Sequence, residues 1–212
     1  MNKFATFLDD YPTKKFKKGA VILQQGDVPT AVHVIKSGFV KVFSISARGE
    51  ERPVLFDLTY EVFPIGWIFD KIDRTYFYYE AFTDVELFLV RKDDYLKYLK
   101  GQPDEMWRAL DYYVERHVNY QLRMHALEQS RASDKILYTL EFLGRRYGHP
   151  SAKGKIAINL PLTQQDFANF VGLTRETTSL ELNKLQREGV VSYDKQCYEV
   201  DIAKLQEMLD DR

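Results

Sequence analysis

A segment near the C-terminal end of the chain places three side chains that can hydrogen-bond to nucleic-acid bases, and a leucine beside them, on one face of a helix. In LTRETTSLELNKLQ they stand at positions i, i+1, i+4 and i+5, which lie together on a helical surface: Arg175, Glu176, Ser179 and Leu180. An arginine can hold guanine O6 and N7 with two hydrogen bonds, and a glutamate can accept one from cytosine N4. The chemistry that this segment suggests is therefore the reading of base edges.

The flanking sequence predicts two helices, a turn and a hairpin that present this face. Thr163, with Asp166 three residues later, forms the pattern of a capping box that starts the first helix. Gly172 supplies the left-handed residue that ends it, and Thr174 caps the second helix. The inward faces consist of Phe167, Ala168 and Val171 in the first helix and Leu182 and Leu185 in the second. The segment VVSYDKQCYEV then folds back as a two-stranded wing.

This arrangement is a winged helix-turn-helix, whose second helix enters the DNA major groove. We assign a DNA-binding role to Thr163, Gln164, Thr174, Arg175, Glu176, Thr177, Ser179, Leu180 and Lys184. The alternative is a solvated helix whose arginine and glutamate only keep the chain soluble. Each feature alone fits that alternative, but the cap, the turn, the polar face and the wing occur together, which favours DNA binding.

The composition excludes several other kinds of site. The 212-residue chain has a formal net charge of −1, so only a local patch can attract nucleic acid. Its one cysteine, Cys197, excludes a disulfide framework and an iron–sulfur site, and we expect it to be a packing residue of the wing. The sequence shows no nucleophile–base pair and no metal-ligand motif, so we predict neither a catalytic nor a metal site. Without a signal peptide or an apolar run of about 20 residues, we expect a cytoplasmic protein.

Short alternating segments from Lys14 to about Val90 predict a β-sandwich or barrel. The segments AVILQQGD, AVHVIKSG, FVKVFSISARGEE, RPVLFDL and VELFLVR are rich in β-branched and aromatic residues, and glycine turns separate them.

A helix is predicted from about Asp104 to Arg131, because the apolar period changes there to alternating steps of four and three. The heptad seam consists of Met106, Leu110, Tyr113, His117, Tyr120, Met124 and Leu127. A helix this long with so regular a seam favours pairing with a second copy. The alternative is that the seam packs on the chain's own barrel. The next helix starts with Ser133 or Asp134 as its N-cap and ends at Gly148-His149-Pro150, before the predicted strand IAINLP.

From about Phe16 to Leu209 the chain resembles the Crp/Fnr family, the bacterial transcription regulators typified by the cyclic-AMP receptor protein and the fumarate–nitrate reduction regulator. Three phrases resemble the strands of that family's effector domain: FKKGAVILQQGD, AVHVIKSGFVKV and GEERPVLFDL. SRASDKIL resembles its hinge, and LTQQDFANFVGLTRETTS resembles its DNA-binding signature. The signature is the most specific match, since the barrel phrases also occur in cyclic-nucleotide domains of kinases and channels.

The resemblance implies an α+β protein in three parts. We predict a jelly-roll, cyclic-nucleotide-binding-like effector domain over residues 1–103, a dimerisation helix over 104–131 and a winged helix-turn-helix DNA-binding domain over 132–212. Family members form two-fold dimers on palindromic double-stranded DNA, and the resemblance admits RNA polymerase as a further partner. In the family, the positions that match Arg175, Glu176 and Leu180 read bases, and the third is commonly arginine.

The sequence departs from the family's cyclic-AMP pocket. That pocket needs a Gly-Glu helix and, shortly after it, an Arg-Ser pair that satisfies the phosphate. Gly66 matches, but Trp67 replaces the glutamate, and either Thr75-Tyr76 or Phe77-Tyr78 stands where the Arg-Ser pair is expected. Arg74 is close in sequence, but the alignment would have to shift in register for it to act as the arginine of that pair. Burying a phosphodiester without its arginine leaves a charge unpaired, so we do not expect cyclic AMP to bind.

Aromatic residues occupy this stretch instead, and they either fill the barrel or line a pocket for an apolar or aromatic effector. We assign the candidate effector pocket to Phe63, Ile65, Gly66, Trp67, Thr75, Tyr76, Phe77, Tyr120 and Arg123. No cofactor is predicted, an unknown small-molecule effector stays open, and haem ligation by His33 or His117 has no motif behind it.

The sequence thus predicts a homodimeric, sequence-specific DNA-binding transcription regulator that does not respond to cyclic AMP. The alternative is an effector-binding dimer whose winged helix binds proteins and does not read DNA. No enzymatic activity is predicted.

Overall fold

The computed structural model describes residues 3–151, 154–194 and 197–211. They form two compact units, Met1–Asp111 and Tyr112–Arg212, with the boundary inside a long helix. The sequence-based division at residues 103 and 131 stays a prediction.

Antiparallel strands dominate the N-terminal unit. Its elements are α1 (Lys3–Leu8), β1 (Thr13–Phe16), β2 (Val21–Leu23), β3 (Val32–Ser37), β4 (Val40–Ile45), β5 (Glu51–Asp57), β6 (Val62–Phe63), α2 (Ile65–Ile68), β7 (Tyr78–Ala81), β8 (Val85–Val90), α3 (Lys92–Gly101) and the start of α4 (Pro103–Glu128). Within the described residues, the strands form two four-stranded sheets of order β1-β8-β3-β6 and β2-β7-β4-β5. The predicted barrel strands and the predicted fold class are confirmed.

The side chains between the two sheets form the first apolar core. Ile35 and Leu87 of one sheet meet Val40, Val42 and Ala81 of the other. A second cluster lies on the far side of β3, where Val32 and Val34 pack under α1 and α3. Since β3 is buried on both faces, its sequence VHVI reads as a nearly continuous apolar run.

The turn between β3 and β4 requires a glycine. Gly38 has φ +88°, a left-handed conformation that disfavours side chains. A Cβ at this position would lie 2.3 Å from the carbonyl oxygen of Asp84. The Ser-Gly turn in the sequence therefore reflects both backbone conformation and close packing.

The C-terminal unit consists of helices around a small sheet. After α4 come α5 (Ala132–Tyr147), β9 (Gly148–Pro150), β10 (Lys155–Ile158), α6 (Gln164–Val171), α7 (Arg175–Arg187), β11 (Val191–Asp194), β12 (Cys197–Asp201) and α8 (Ile202–Asp210). The described strands form a sheet of order β11-β12-β10-β9. Buried side chains of α5, α6 and α7 share one core, in which the rings of Phe142 and Phe170 stack at 6.0 Å.

Three details differ from the sequence-based prediction. The long helix ends at Glu128, before the expected Arg131. Arg131 itself is the N-cap of α5, because Ser133 and Asp134 already lie inside its first turn, where an acidic group interacts favourably with the helix dipole. The segment Gly148–Pro150 is a strand, since it pairs with Ile156–Ile158 of the sheet.

His33 is a buried histidine in the interior of the N-terminal unit. Its ring stacks on Phe63 at a centroid distance of 5.1 Å, and Phe63 stacks in turn on Tyr79 at 4.8 Å. Burial, assisted by the nearby charge of Lys14, lowers the pKa of His33 to about 4. The imidazole is therefore neutral at physiological pH.

We expect the N-terminal unit to lose stability below neutral pH, because His33 accepts a proton in the unfolded chain before it does so in the fold. The pKa of an unfolded histidine is about 6.5. The stability present above that pH is lost as the pH falls towards the folded pKa of about 4. The expected loss between pH 7 and pH 5 is about 2 kcal/mol. Urea unfolding followed by tryptophan fluorescence at the two pH values measures it, since Trp67 and Trp107 both lie in this unit.

The matched variants are His33→Leu and His149→Gln. His33→Leu removes the titrating group, so its pH dependence should shrink by about 2 kcal/mol. His149 is exposed and lies in the other unit, so His149→Gln is the control for the replacement of a histidine. An unaltered pH dependence in His33→Leu contradicts the assignment to this histidine.

Candidate nucleic-acid interface

Both helices of the predicted helix-turn-helix begin with the caps that the sequence indicates. Thr163 Oγ1 accepts from Asp166 N at 3.1 Å, and Asp166 Oδ2 accepts from Thr163 N at 2.9 Å. Thr174 Oγ1 accepts from Thr177 N at 3.2 Å. Gly172 ends α6 in the left-handed conformation, with φ 76° and ψ 34°. The predicted capping box, turn and second cap are confirmed.

Helix α7 has one buried face and one exposed face. Thr178, Leu182 and Leu185 are buried in the core of the unit. Arg175 and Glu176 are exposed near its N-terminus, and Leu180 follows with 71% of its surface exposed. Ser179 is half-buried beside them and Lys184 is exposed further along the helix. The side chains expected to share a solvent face do so, and we call this surface the reading face: Arg175, Glu176, Ser179 and Leu180.

Three other candidate DNA-binding side chains make internal hydrogen bonds. The Thr163 hydroxyl donates to Asp166 Oδ2 at 2.6 Å. The hydroxyls of Thr174 and Thr177 lie 3.0 Å apart, within hydrogen-bond distance. These groups hold the helix starts in place, so they are less free than the reading face to meet DNA.

The wing is formed by β11 and β12, which pair from Val191↔Val200 to Asp194↔Cys197. Residues 195 and 196 of the predicted wing lie outside the described residues. Cys197 is exposed, so the expectation that it packs in the wing is wrong. Strand alternation explains this, because Tyr198 and Val200 point into the core and Cys197 points the other way.

A polar contact that the sequence does not reveal joins the wing to both helices. Tyr193 of β11 bonds to Gln164, the first residue of α6, and to Asn183 of α7. Gln164 was a candidate DNA contact, whereas Tyr193 and Asn183 were not. No periodicity or motif marks residues that meet only through tertiary packing.

Arg123, a candidate effector-pocket residue, lies in the C-terminal unit. Its guanidinium lies 3.6 Å from the centre of the Phe170 ring and donates to the Phe170 carbonyl. Burial lowers its pKa to about 10. Tyr120, also assigned to the pocket, accepts a hydrogen bond from Arg116 through its hydroxyl at 3.2 Å.

The candidate pocket residues of the barrel lie in different surroundings. Phe63 is buried in the ring stack between His33 and Tyr79. Thr75 is buried and donates to the Gln24 carbonyl, whereas its neighbour Tyr76 is 65% exposed.

The remaining candidate pocket residues of this unit lie in α2 and in the core between the sheets. Ile65, Gly66 and Trp67 lie within α2. Lys92 Nζ lies 4.7 Å from the centre of the Trp67 ring. Phe77 is packed against the apolar core between the sheets. The two cavities described in this unit, of about 320 and 300 Å³, are lined by other residues. The contacts of Phe63 and Tyr79 favour filling of the barrel over a preformed pocket.

The exposed apolar stripe of α4 is broader than the predicted seam. Met106, Leu110, Met124 and Leu127 are exposed, as is His117. Tyr113 and Tyr120 are half-buried. Trp107 and Val114, which the seam omitted, are 70% and 53% exposed. A stripe through Trp107, Leu110, Val114, His117 and Met124 keeps the same steps of three and four, shifted in register.

The described ranges contain neither of two other kinds of feature, a metal-binding cluster or a membrane-spanning helix. No group of three or more histidine, cysteine or acidic side chains there is placed to hold a metal ion. None of the described helices has the length and apolar character that a membrane crossing needs.

Comparison with known proteins places both units in recognised families. A cyclic nucleotide-binding domain model matches residues 13–102, and a Crp-like helix-turn-helix domain model matches residues 135–208. Regulatory protein HlyX of Actinobacillus pleuropneumoniae is 26% identical over 181 residues, which cover 84% of this chain and 73% of that protein. The anaerobic regulatory protein of Pasteurella multocida is 28% identical over 183 residues, which cover 84% of this chain and 64% of that protein.

A solved structure shows the same fold. A CooA mutant from Carboxydothermus hydrogenoformans superposes with a TM-score of 0.79 at 17% identity, covering 96% of this chain and 89% of that one. The two domain models match in the order that the sequence predicts. The similarity to the regulatory proteins extends over most of this chain. The chain therefore belongs to the Crp/Fnr family of DNA-binding transcription regulators.

Proposed function

We propose that the protein acts as a homodimer that binds a two-fold operator, with the α7 helix of each copy reading one half-site in the major groove. The observation that carries this proposal is the reading face, which combines exposed Arg175, Glu176 and Leu180 with a buried opposite side. In a two-fold dimer the half-sites lie about one helical turn apart. The protein's place is then the cytoplasm, its partners are double-stranded DNA and RNA polymerase, and it has no enzymatic activity.

The exposed stripe of α4 supports association with a second copy. Trp107, Leu110 and Val114 expose large apolar surfaces on successive turns of one helix. A contiguous apolar surface of this kind marks an interaction site. Since the stripe repeats in steps of three and four, the α4 helices of two copies can pack their stripes against each other along a shared axis.

The reading face supports a specific base preference. Arg175 can hold a guanine bidentately, and Glu176 can accept from a cytosine. Each half-site should therefore keep a guanine read by Arg175 and a G·C pair read by Glu176. Leu180 has no hydrogen-bonding group, but its exposed side chain can pack on a thymine methyl. The base pair that an arginine at this position would read should therefore be relaxed or shifted towards thymine.

The barrel supports a regulator that does not respond to cyclic AMP. Trp67 occupies the place of the family's glutamate, and its ring lies beneath Lys92. The hydroxyl of Thr75 is already bonded to a backbone carbonyl. A phosphodiester placed here would lack the arginine that balances its charge.

Leu110→Asp should weaken the dimer by about a hundredfold or more, because each copy would bury a carboxylate in place of an apolar side chain. Sedimentation equilibrium measures the dissociation constant. Glu115→Lys is the matched control, since it also changes the charge of α4 at an exposed position, but off the stripe. A Leu110→Asp protein that dimerises as tightly as the control would show that the stripe is not the interface.

Randomised-site selection on the wild type, Arg175→Ala and Leu180→Arg tests the base preference. Arg175→Ala should cost about 1–3 kcal/mol of binding free energy on the selected operator and flatten the preference at one position. Leu180→Arg should move the preference towards guanine at another. Glu181→Ala, which alters α7 away from the reading face, should leave the preference unchanged. Identical preferences in all four proteins would mean that α7 does not read DNA.

Cyclic AMP should give no saturable heat in calorimetry and no change in DNA affinity. The matched variant is Arg74→Ala, because Arg74 is the cation nearest in sequence to the missing pair; its guanidinium now bonds the Gly26 carbonyl at 2.9 Å. Saturable micromolar binding that Arg74→Ala abolishes would contradict the proposal and assign the phosphate to Arg74.

A further inference from the structure

The wing and both helices of the helix-turn-helix meet at one phenol. The hydroxyl of Tyr193, on β11, accepts from Gln164 Nε2 at 2.8 Å. The same hydroxyl donates to Asn183 Oδ1 at 3.3 Å. Gln164 opens α6 and Asn183 lies in α7, so a single side chain of the wing links the start of one helix to the other.

The direction of these hydrogen bonds determines how the Asn183 amide faces. The amide nitrogen of Gln164 can only donate, so the Tyr193 oxygen accepts from it. The one hydroxyl proton of Tyr193 is then available for Asn183 Oδ1. With its oxygen held by the wing, Asn183 keeps its Nδ2 group, which carries two donors, outside this hydrogen bond.

Asn183 lies beside the reading face. It follows Ser179 by four residues and Leu180 by three, and residues with these spacings are neighbours on a helix surface. Its side chain is half-buried, between the buried core and the solvent side of α7. A donor at this place, one turn beyond Leu180, is positioned for the acceptors on base edges in the major groove.

We propose that Asn183 is a further base-contacting residue and that Tyr193 is the positioning residue that orients its amide as a donor. The inference rests on the proposed function, because it requires that α7 enters the major groove. Its ligand is a base-edge acceptor, such as guanine O6 or N7 or thymine O4. Tyr193 acts through Asn183 and does not itself touch a base.

A ring stack allows the hydroxyl to be tested separately from the ring. Tyr193 stacks on Tyr198 at 5.7 Å, and Tyr198 stacks on Phe167 at 5.4 Å. Removal of the Tyr193 hydroxyl leaves this stack in place. The Tyr198 hydroxyl is buried and has no hydrogen-bond partner among the described residues. Tyr198→Phe is therefore a matched control, which removes a neighbouring hydroxyl without removing a bond.

The experiment uses the full chain and compares Tyr193→Phe, Asn183→Ala, Asn183→Asp and Tyr198→Phe with the wild type. Randomised-site selection gives the base preference of each, binding to the wild-type operator gives the affinity, and thermal unfolding gives the stability. Tyr193→Phe and Asn183→Ala should flatten the preference at the same operator position and lower the affinity roughly three- to tenfold. The Tyr193→Phe/Asn183→Ala double variant should lose little more affinity than either single variant, because both substitutions remove the same contact.

Asn183→Asp makes the donor requirement testable even if Tyr193→Phe fails to fold. It keeps an acceptor for Tyr193 but replaces both amide donors by an oxygen, so it should lose the same base preference while its unfolding temperature stays close to that of the wild type. Tyr198→Phe should match the wild type in base preference and affinity, and its unfolding temperature should be equal or higher, because the hydroxyl that it removes is buried without a partner among the described residues.

Two results would overturn this inference. One is an unchanged base preference in Asn183→Asp and Asn183→Ala. The other is a loss of affinity in Tyr193→Phe that is equal for all sequences, which indicates phosphate contact or a purely structural role. A wild-type protein that selects no sequence would overturn the proposed function instead, and is recognised before any variant is measured.

Discussion

The burial of one side of α7 determines what its other side can do. Leu182 and Leu185 are almost completely buried in the core of the C-terminal unit, and each contributes about 1.5–3 kcal/mol through that burial. Because their positions fix the rotation of the helix about its axis, Arg175, Glu176 and Leu180 must face solvent. In this orientation Leu180 leaves 71% of its surface exposed, so its side chain is accessible on the same face as Arg175 and Glu176.

The features that the sequence predicted correctly in this unit are local ones. The capping box joins Thr163 to a residue three positions away, and the second cap joins Thr174 to Thr177. Their residue types and spacing fully specify these hydrogen bonds, and Gly172 needs only its own backbone conformation. The contacts that the sequence did not reveal are long-range: Gln164 meets Tyr193 across 29 positions, and Arg123 meets Phe170 across 47.

The α4 helix and the barrel show what a regular pattern leaves open. The heptad through Tyr113 and Tyr120 is as regular as the stripe through Trp107 and Val114, and only packing decides that the two tyrosines are half-buried while Trp107 and Val114 are exposed. In the barrel, the alternation of β strands says that half of the aromatic rings point inward, but not whether they leave space. Phe63 leaves little, because its ring is stacked on both sides.

Arg123 gives the C-terminal unit a polar contact between α4 and the DNA-binding helices. Its guanidinium bonds a carbonyl in the last turn of α6, where the backbone has unsatisfied acceptors and the helix dipole favours a positive charge. Burial makes this cation expensive, as its lowered pKa reflects, and the ring of Phe170 offsets part of that cost. Moving α4 away from α6 would remove both compensating contacts at once. The contact therefore joins α6, which the Gly172 turn connects to α7, to the helix that carries the exposed apolar stripe.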